Sequence, residues 1–199
     1  MKRSILVVLV LLASVTGLRA QVGGAWSFNY AMAQPLGSTA DFTENMSFLG
    51  FVVEGRKFIP GEPLTVGGEL GWQTFYQRVE GQVVSRPGVD VWGTQYRYIN
   101  TFAGLFNLKY HLRPERMVVP YAGIGLGPGY VYQRLDFGLW TLSDDSWRFV
   151  VRPDAGVLIQ FPGSNMGANL GVNYHHFSKT KSYDETTFVG FHVGLSSFF

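Results

Sequence analysis

Ala122-Gly123-Ile124-Gly125-Leu126-Gly127-Pro128-Gly129-Tyr130-Val131-Tyr132 is the stretch that decides the fold. Ala122, Ile124, Leu126, Tyr130 and Tyr132 share one parity, and Gly123, Gly125, Gly127 and Gly129 share the other. A period of two over this length predicts a strand with one bulky face and one face almost without side chains. Working outward, the alternation recurs in Trp26–Met32, Leu49–Arg56, Leu64–Gln73, Tyr96–His111, Arg148–Phe161, Asn169–His175 and Val189–Phe199, so the expected count is eight strands and no helix. The links alternate too. Ile59–Pro63, Arg113–Arg116 and Pro162–Asn165 read as tight turns, whereas Gly37–Asn45, Gln77–Gly93, Asp136–Ser146 and Lys179–Glu185 read as longer polar loops. An even strand count with alternating short and long links fits an exported up-and-down barrel.

Composition narrows the class. Charged residues make up 15% of the 199, against about 25% in soluble domains, while aromatics reach 16%. Cysteine is absent, which excludes a disulfide scaffold, a thiolate metal site and a cysteine nucleophile. Lys2 and Arg3, the apolar run Ile5–Val15 and Leu18-Arg19-Ala20 predict a secretory signal over residues 1–20, cut after Ala20, with the barrel domain over 21–199. Removing Lys2, Arg3 and Arg19 from the 16 basic residues leaves 13 against 14 acidic ones, so nothing favours nucleic acid as a partner.

Two opposite barrels satisfy such alternation, one with its apolar face inside and one with it outside. Glu54, Arg56, Glu69, Arg97, Lys109, Arg148, Arg152 and Asp154 all lie on the glycine-bearing parity, so the expected lumen is a polar network of both charge signs, with the glycines leaving room for long side chains to meet. The other parity carries aliphatics in mid-strand and aromatic rings toward both strand ends, the pattern of a lipid-facing band and its girdles. A basic residue facing lipid at mid-depth costs about 2–4 kcal/mol. Only Lys57 and Arg134 carry charge on that parity, both at predicted strand ends.

With the amino-terminal signal, Val119-Pro120-Tyr121-Ala122-Gly123-Ile124-Gly125-Leu126-Gly127 and the terminal Phe199, the chain resembles the OmpA/OmpX-like small outer-membrane barrels of Gram-negative bacteria. The resemblance implies an all-β, eight-stranded antiparallel up-and-down transmembrane barrel in the bacterial outer membrane. It further implies a monomer surrounded by outer-membrane lipids and lipopolysaccharide, with Phe199 on the final strand as the assembly signal read by the barrel assembly machinery. Expected function is structural, adhesive or recognition through the extracellular loops, with Gln77–Gly93 as the main contact surface.

A weaker resemblance concerns His176-Phe177-Ser178 followed by Glu185, which is similar to the PagL-type lipid A deacylases. It implies Ser178 as nucleophile, His176 as base and Glu185 as the orienting acid. Lys179 stands where that family has asparagine, and Glu185 comes several residues early. A small channel for apolar ligands is the third alternative. No cofactor is expected: adjacent His175 and His176 point to opposite faces of a strand, and the glycine run does not match a nucleotide-binding loop.

Overall fold

The computed structural model describes residues 23–86, 89–112, 116–138, 140–180 and 184–199. The expected signal over 1–20 and the turn residues Arg113, Pro114 and Glu115 lie outside them. Eight strands form one closed antiparallel barrel in sequence order: β1 (Gly24–Leu36), β2 (Leu49–Phe58), β3 (Leu64–Arg86), β4 (Val89–His111), β5 (Val118–Phe137), β6 (Trp140–Gln160), β7 (Met166–Phe177) and β8 (Thr186–Phe198). β8 closes on β1 through twelve consecutive pairs from Ala25–Phe198 to Leu36–Thr187. Phe199 extends this seam by exchanging backbone hydrogen bonds with Gly24 at 2.8 and 3.0 Å. Among the described residues no helix is long and apolar enough to cross a membrane.

The parity read from sequence places the side chains. Phe28, Leu70, Phe106, Trp147, Phe149 and Leu195 face outward and exposed, while Glu54, Arg56, Glu69, Lys109, Arg152 and Asp154 are buried in the lumen. Outward rings meet along the wall, Phe51 with Trp72 at 5.7 Å, Trp72 with Phe102 at 6.3 Å and Tyr130 with Trp147 at 5.3 Å. So much apolar area turned outward suits a hydrocarbon surround rather than water.

Three expectations change. Gln77–Gly93 and Asp136–Ser146 are strand along most of their length: β3 and β4 run to Arg86 and Val89, and β5 and β6 to Phe137 and Trp140. The result is a four-stranded sheet projecting from one end of the barrel, here called the hairpin end; the opposite rim is the turn end. The third change is a helix, α1 (Gly37–Phe42), which begins the first link. Its opening residue Gly37 has φ of +51°, a conformation that glycine takes at little cost and that turns the chain over the barrel mouth.

The projecting sheet was hidden by a reversal of its faces. Beyond the outward row Tyr76–Tyr98–Arg134–Ser143, outward positions become Arg78, Glu80, Tyr96, Asp136 and Thr141. Inward ones become Val79, Leu135, Phe137, Trp140 and Leu142. Such an exchange is expected where a strand leaves lipid for water, because the face that meets the surroundings must change polarity with them.

Two prolines interrupt the ladders. Counting by twos from the bonded pairs Leu112/Pro120 and Phe149/Ser178 puts Pro128 opposite Gly104 and Pro153 opposite Tyr174, each at a position that calls for an N–H. Pairing accordingly lapses at 104–105 against 127–128, and at 152–153 against 174–175.

Close approach of β4 backbone to β5 makes a testable contrast between glycines. A Cβ on Gly127 would lie 2.1 Å from the Gly104 carbonyl oxygen and 3.0 Å from Leu105 Cα, while one on outward Gly68 meets nothing nearer than 3.7 Å. Overpacking costs about 1–3 kcal/mol, and more where backbone is struck. Gly127→Val is expected to lose the compact band of unboiled gel electrophoresis, and Gly68→Val to keep it.

Candidate functional site

The lumen is organised in three layers. At its centre, Lys109 of β4 reaches across to two strands: its Nζ lies 2.9 Å from Glu54 Oε1 on β2 and 3.0 Å from Asp154 Oδ2 on β6. Arg56 stands beside Glu54, Nη1 to Oε2 at 3.7 Å, and donates to the Ser27 and Ser196 hydroxyls at 3.2 and 3.4 Å. Arg152 pairs with Glu69 and lies 3.6 Å from Asp154, and the Asn107 amide donates to Glu69 Oε2 at 2.9 Å. Lys109 Nζ also stands 4.9 Å from the Tyr121 ring centroid. Three carboxylates and three cations thus form a cluster of zero formal charge.

A neutral chain of hydrogen bonds adjoins it. Asn173 Nδ2 donates to His192 Nδ1 at 3.2 Å, which puts the ring proton on Nε2, from which it is donated to the Tyr121 hydroxyl at 3.0 Å. Tyr121 donates in turn to Asn169 Oδ1 at 3.0 Å, and Asn169 donates to Asn29 Oδ1 at 3.1 Å. These residues span β1, β5, β7 and β8, so the polar centre touches every strand of the barrel.

Apolar layers lie to either side. Toward the turn end, Val119, Tyr121 and Leu158 pack with Phe198. Toward the hairpin end, Phe75, Ile99, Leu105, Val131, Val150, Phe177 and Phe188 form a buried cluster, and Phe42 of α1 packs onto it from above. The rings of Phe75 and Phe188 meet edge-on at 5.2 Å, and His175 stacks on Phe188 at 4.4 Å. The cavity between the charged centre and this layer is about 20 Å³, lined in part by Gln73, Thr101, Asn173 and His175, which is room for about one water molecule.

The expected eight-residue network is therefore divided. Glu54, Arg56, Glu69, Lys109, Arg152 and Asp154 meet, but Arg97 and Arg148 stand beyond the apolar layer at the mouth. Arg97 donates to Gln95 Oε1 and to the carbonyls of Asp41 and Phe42, tying α1 to the wall. Arg148 donates to the Asp184 carbonyl at 2.6 Å and to the Thr186 hydroxyl at 3.0 Å. The glycines divide likewise. Gly123 makes room for Lys109 and Asp154, whereas Gly125 lies against the Leu105 side chain and Gly129 makes room for Val150 and Phe177. Sequence reasoning missed the apolar layer, although Phe75, Ile99, Leu105, Phe177 and Phe188 lie on the lumen parity.

His176 and Ser178 lie two residues apart at the hairpin end of β7. Ser178 Oγ accepts the Phe149 N–H at 3.1 Å, Glu185 is exposed, and its backbone carbonyl accepts from Ser38. No hydrogen bond joins Ser178 to His176 or His176 to Glu185 among the described residues, so the arrangement is not an assembled triad. Phe199 is exposed at the outer rim of the turn end. On the outer face of the projecting sheet, Arg134 and Thr141 hydrogen-bond Asp136 at 2.9 and 2.7 Å and hold its carboxyl below the usual range.

No protein-family model and no curated protein matches the sequence. Solved structures do match in fold. Neisserial surface protein A aligns over 88% of this chain and 96% of its own, with a TM-score of 0.55 and 13% identity. A major outer membrane protein from Thermus thermophilus aligns over 88% and 99%, with a TM-score of 0.55 and 12% identity. Outer membrane protein OprG from Pseudomonas aeruginosa aligns over 89% and 96%, with a TM-score of 0.52 and 14% identity. The fold is that of the small eight-stranded outer-membrane barrels.

Breaking one partner of a buried ion pair costs about 3–5 kcal/mol, because the other charge is stranded. Lys109→Met leaves both Glu54 and Asp154 short of their cation, and is expected to lower stability by that amount in urea titrations of the refolded protein. Adding Glu54→Gln removes one stranded charge, so the double variant is expected to be more stable than Lys109→Met alone.

Proposed function

We propose that this protein is a monomeric, non-catalytic and non-conducting barrel of the bacterial outer membrane, acting in envelope integrity, adhesion or recognition through its projecting sheet. The observation that carries the reading is the filled lumen: a neutral charge cluster held between two apolar layers, with α1 over the mouth. An ion entering this path would have to shed its water against Phe177 and Phe188 and then displace a paired charge, both costly in a low-dielectric interior. The outward apolar wall and its rings support a lipid surround, and the fold shared with outer-membrane proteins supports the same address.

In this reading lipids and lipopolysaccharide contact the wall, and the turn end faces the periplasm. The strand ending in Phe199, whose apolar face is Val189, Phe191, Val193 and Leu195, is what the barrel assembly machinery engages. The projecting sheet stands outside the cell, where Arg78–Glu80 and Arg134–Asp136 ion pairs cover its outer face.

Planar bilayers holding the refolded protein are expected to show no single-channel steps; a steady conductance that rises in Glu69→Ala would overturn the sealed lumen. Chymotrypsin applied to intact cells is expected to cut within 76–98 or 130–147 and leave the rest of the barrel, whereas full protection would place the sheet on the other side. Lipid A from expressing cells is expected to keep its acyl pattern. A shortened pattern that reverts in Ser178→Ala would instead establish the hydrolase.

A further inference from the structure

The inner face of the projecting sheet has a chemistry that the sealed barrel does not need. Two rows cross it: Gln77–Arg97–Leu135–Leu142, and beyond it Val79–Gln95–Phe137–Trp140. Trp140 is 48% and Leu142 59% exposed, and Phe137 stacks under Trp140 at 6.4 Å. These rings and branched chains lie beyond the outward row at which the wall turns polar, so lipid does not cover them. Exposed apolar side chains gathered on one face mark a binding surface more often than isolated ones do.

Arg97 sets the kind of ligand. The groups that accept its hydrogen bonds are neutral: Gln95 Oε1 takes Nε and Nη2 at 3.3 and 3.1 Å, and the backbone carbonyls of Asp41 and Phe42 take Nη1 at 3.5 and 3.1 Å, with the Phe42 ring 5.6 Å from the guanidinium carbon. Arg78 and Arg134 of the same sheet pair with carboxylates on the outer face, Glu80 at 2.8 Å and Asp136 at 2.9 Å. Arg97 has no carboxylate partner among the described residues, its four hydrogen bonds leave one of its five N–H donors over, and its register partner on β5 is Leu135. A half-buried guanidinium beside an apolar strip suits a molecule with one negative end and one greasy body. From Arg97 across Leu135 to Leu142 is two strand spacings, roughly 10 Å, the reach of a medium-length alkyl chain.

We propose that this face binds a single-chain amphiphile with an anionic head, of the fatty-acid class, its carboxylate on Arg97 and its chain along Leu135, Leu142 and Trp140. Polyanions fit poorly, because Asp41, Asp144, Asp145, Asp184 and Glu185 are all exposed at the same end. Binding here does not depend on the sealed lumen or on the proposed role at the cell surface.

The test uses the full mature chain in phosphatidylcholine nanodiscs, irradiated with a diazirine-bearing laurate and mapped by mass spectrometry. Laurate is expected to label residues 135–142, with label there falling about tenfold in Arg97→Gln, since a charge-assisted hydrogen bond is lost, and being retained in Arg97→Lys. Leu142→Asp, which lies outside the barrel, is expected to lower it as well. The matching diazirine dodecanol is expected to label outward residues such as Phe106 and Leu126 and to leave 135–142 unmarked. The proposal fails if laurate marks only the outward wall. It fails equally if alcohol and acid mark 135–142 alike, or if neither Arg97→Gln nor Leu142→Asp changes the label.

Discussion

Lys109 holding Glu54 and Asp154 at once is the contact on which the remainder of the barrel depends. A closed sheet of eight strands has a narrow interior, and an inside-out barrel cannot fill it by hydrophobic collapse, since its apolar side chains are largely committed to the outside. Charges take that place only if they balance. Lys109 bridges β2 and β6 through the axis, Arg152 ties β6 to β3, and the serines beside Arg56 bring in β1 and β8. Slipping β2, β3, β4 or β6 by one residue would exchange its lumen and lipid faces and strand a charge in hydrocarbon. The ion pairs therefore bear on register as well as on stability.

The apolar layers complete that design. A cluster of six ionised groups open to water at both ends would be screened and partly hydrated. Held between Phe198 with Leu158 on one side and Phe75 with Phe177 and Phe188 on the other, its attractions act in a medium of low dielectric. Filling and register thus follow from one arrangement of lumen side chains.

Much of this was legible before any coordinates. Strict alternation fixed which residues face the lumen, and Gly123 foretold the space that Lys109 uses. The ends of the strands were not legible in the same way. Leu135, Phe137, Trp140 and Leu142 keep a period of two, but on the parity that is polar lower down, so an assignment tuned to one sense of polarity reads Asp136–Ser146 as loop. The apolar lumen layer is hidden for a related reason: Phe75 and Phe188 share their parity with polar residues such as Gln73 and His192, so that face reads as polar throughout. For Ser178, sequence spacing brought a histidine to the same parity, but among the described residues no hydrogen bond joins the two, and the serine hydroxyl accepts the Phe149 N–H instead.

The short helix after β1 touches residues far along the chain. Thr187 of β8 donates its N–H to Thr39 Oγ1 and its hydroxyl to the Leu36 carbonyl, while Ser38 bonds the Glu185 carbonyl. Those anchors exist only after the first and last strands have met. The seating of α1 over the mouth is therefore tied to the seam itself: the strand that closes the ring on β1 also supplies the groups that hold the helix down.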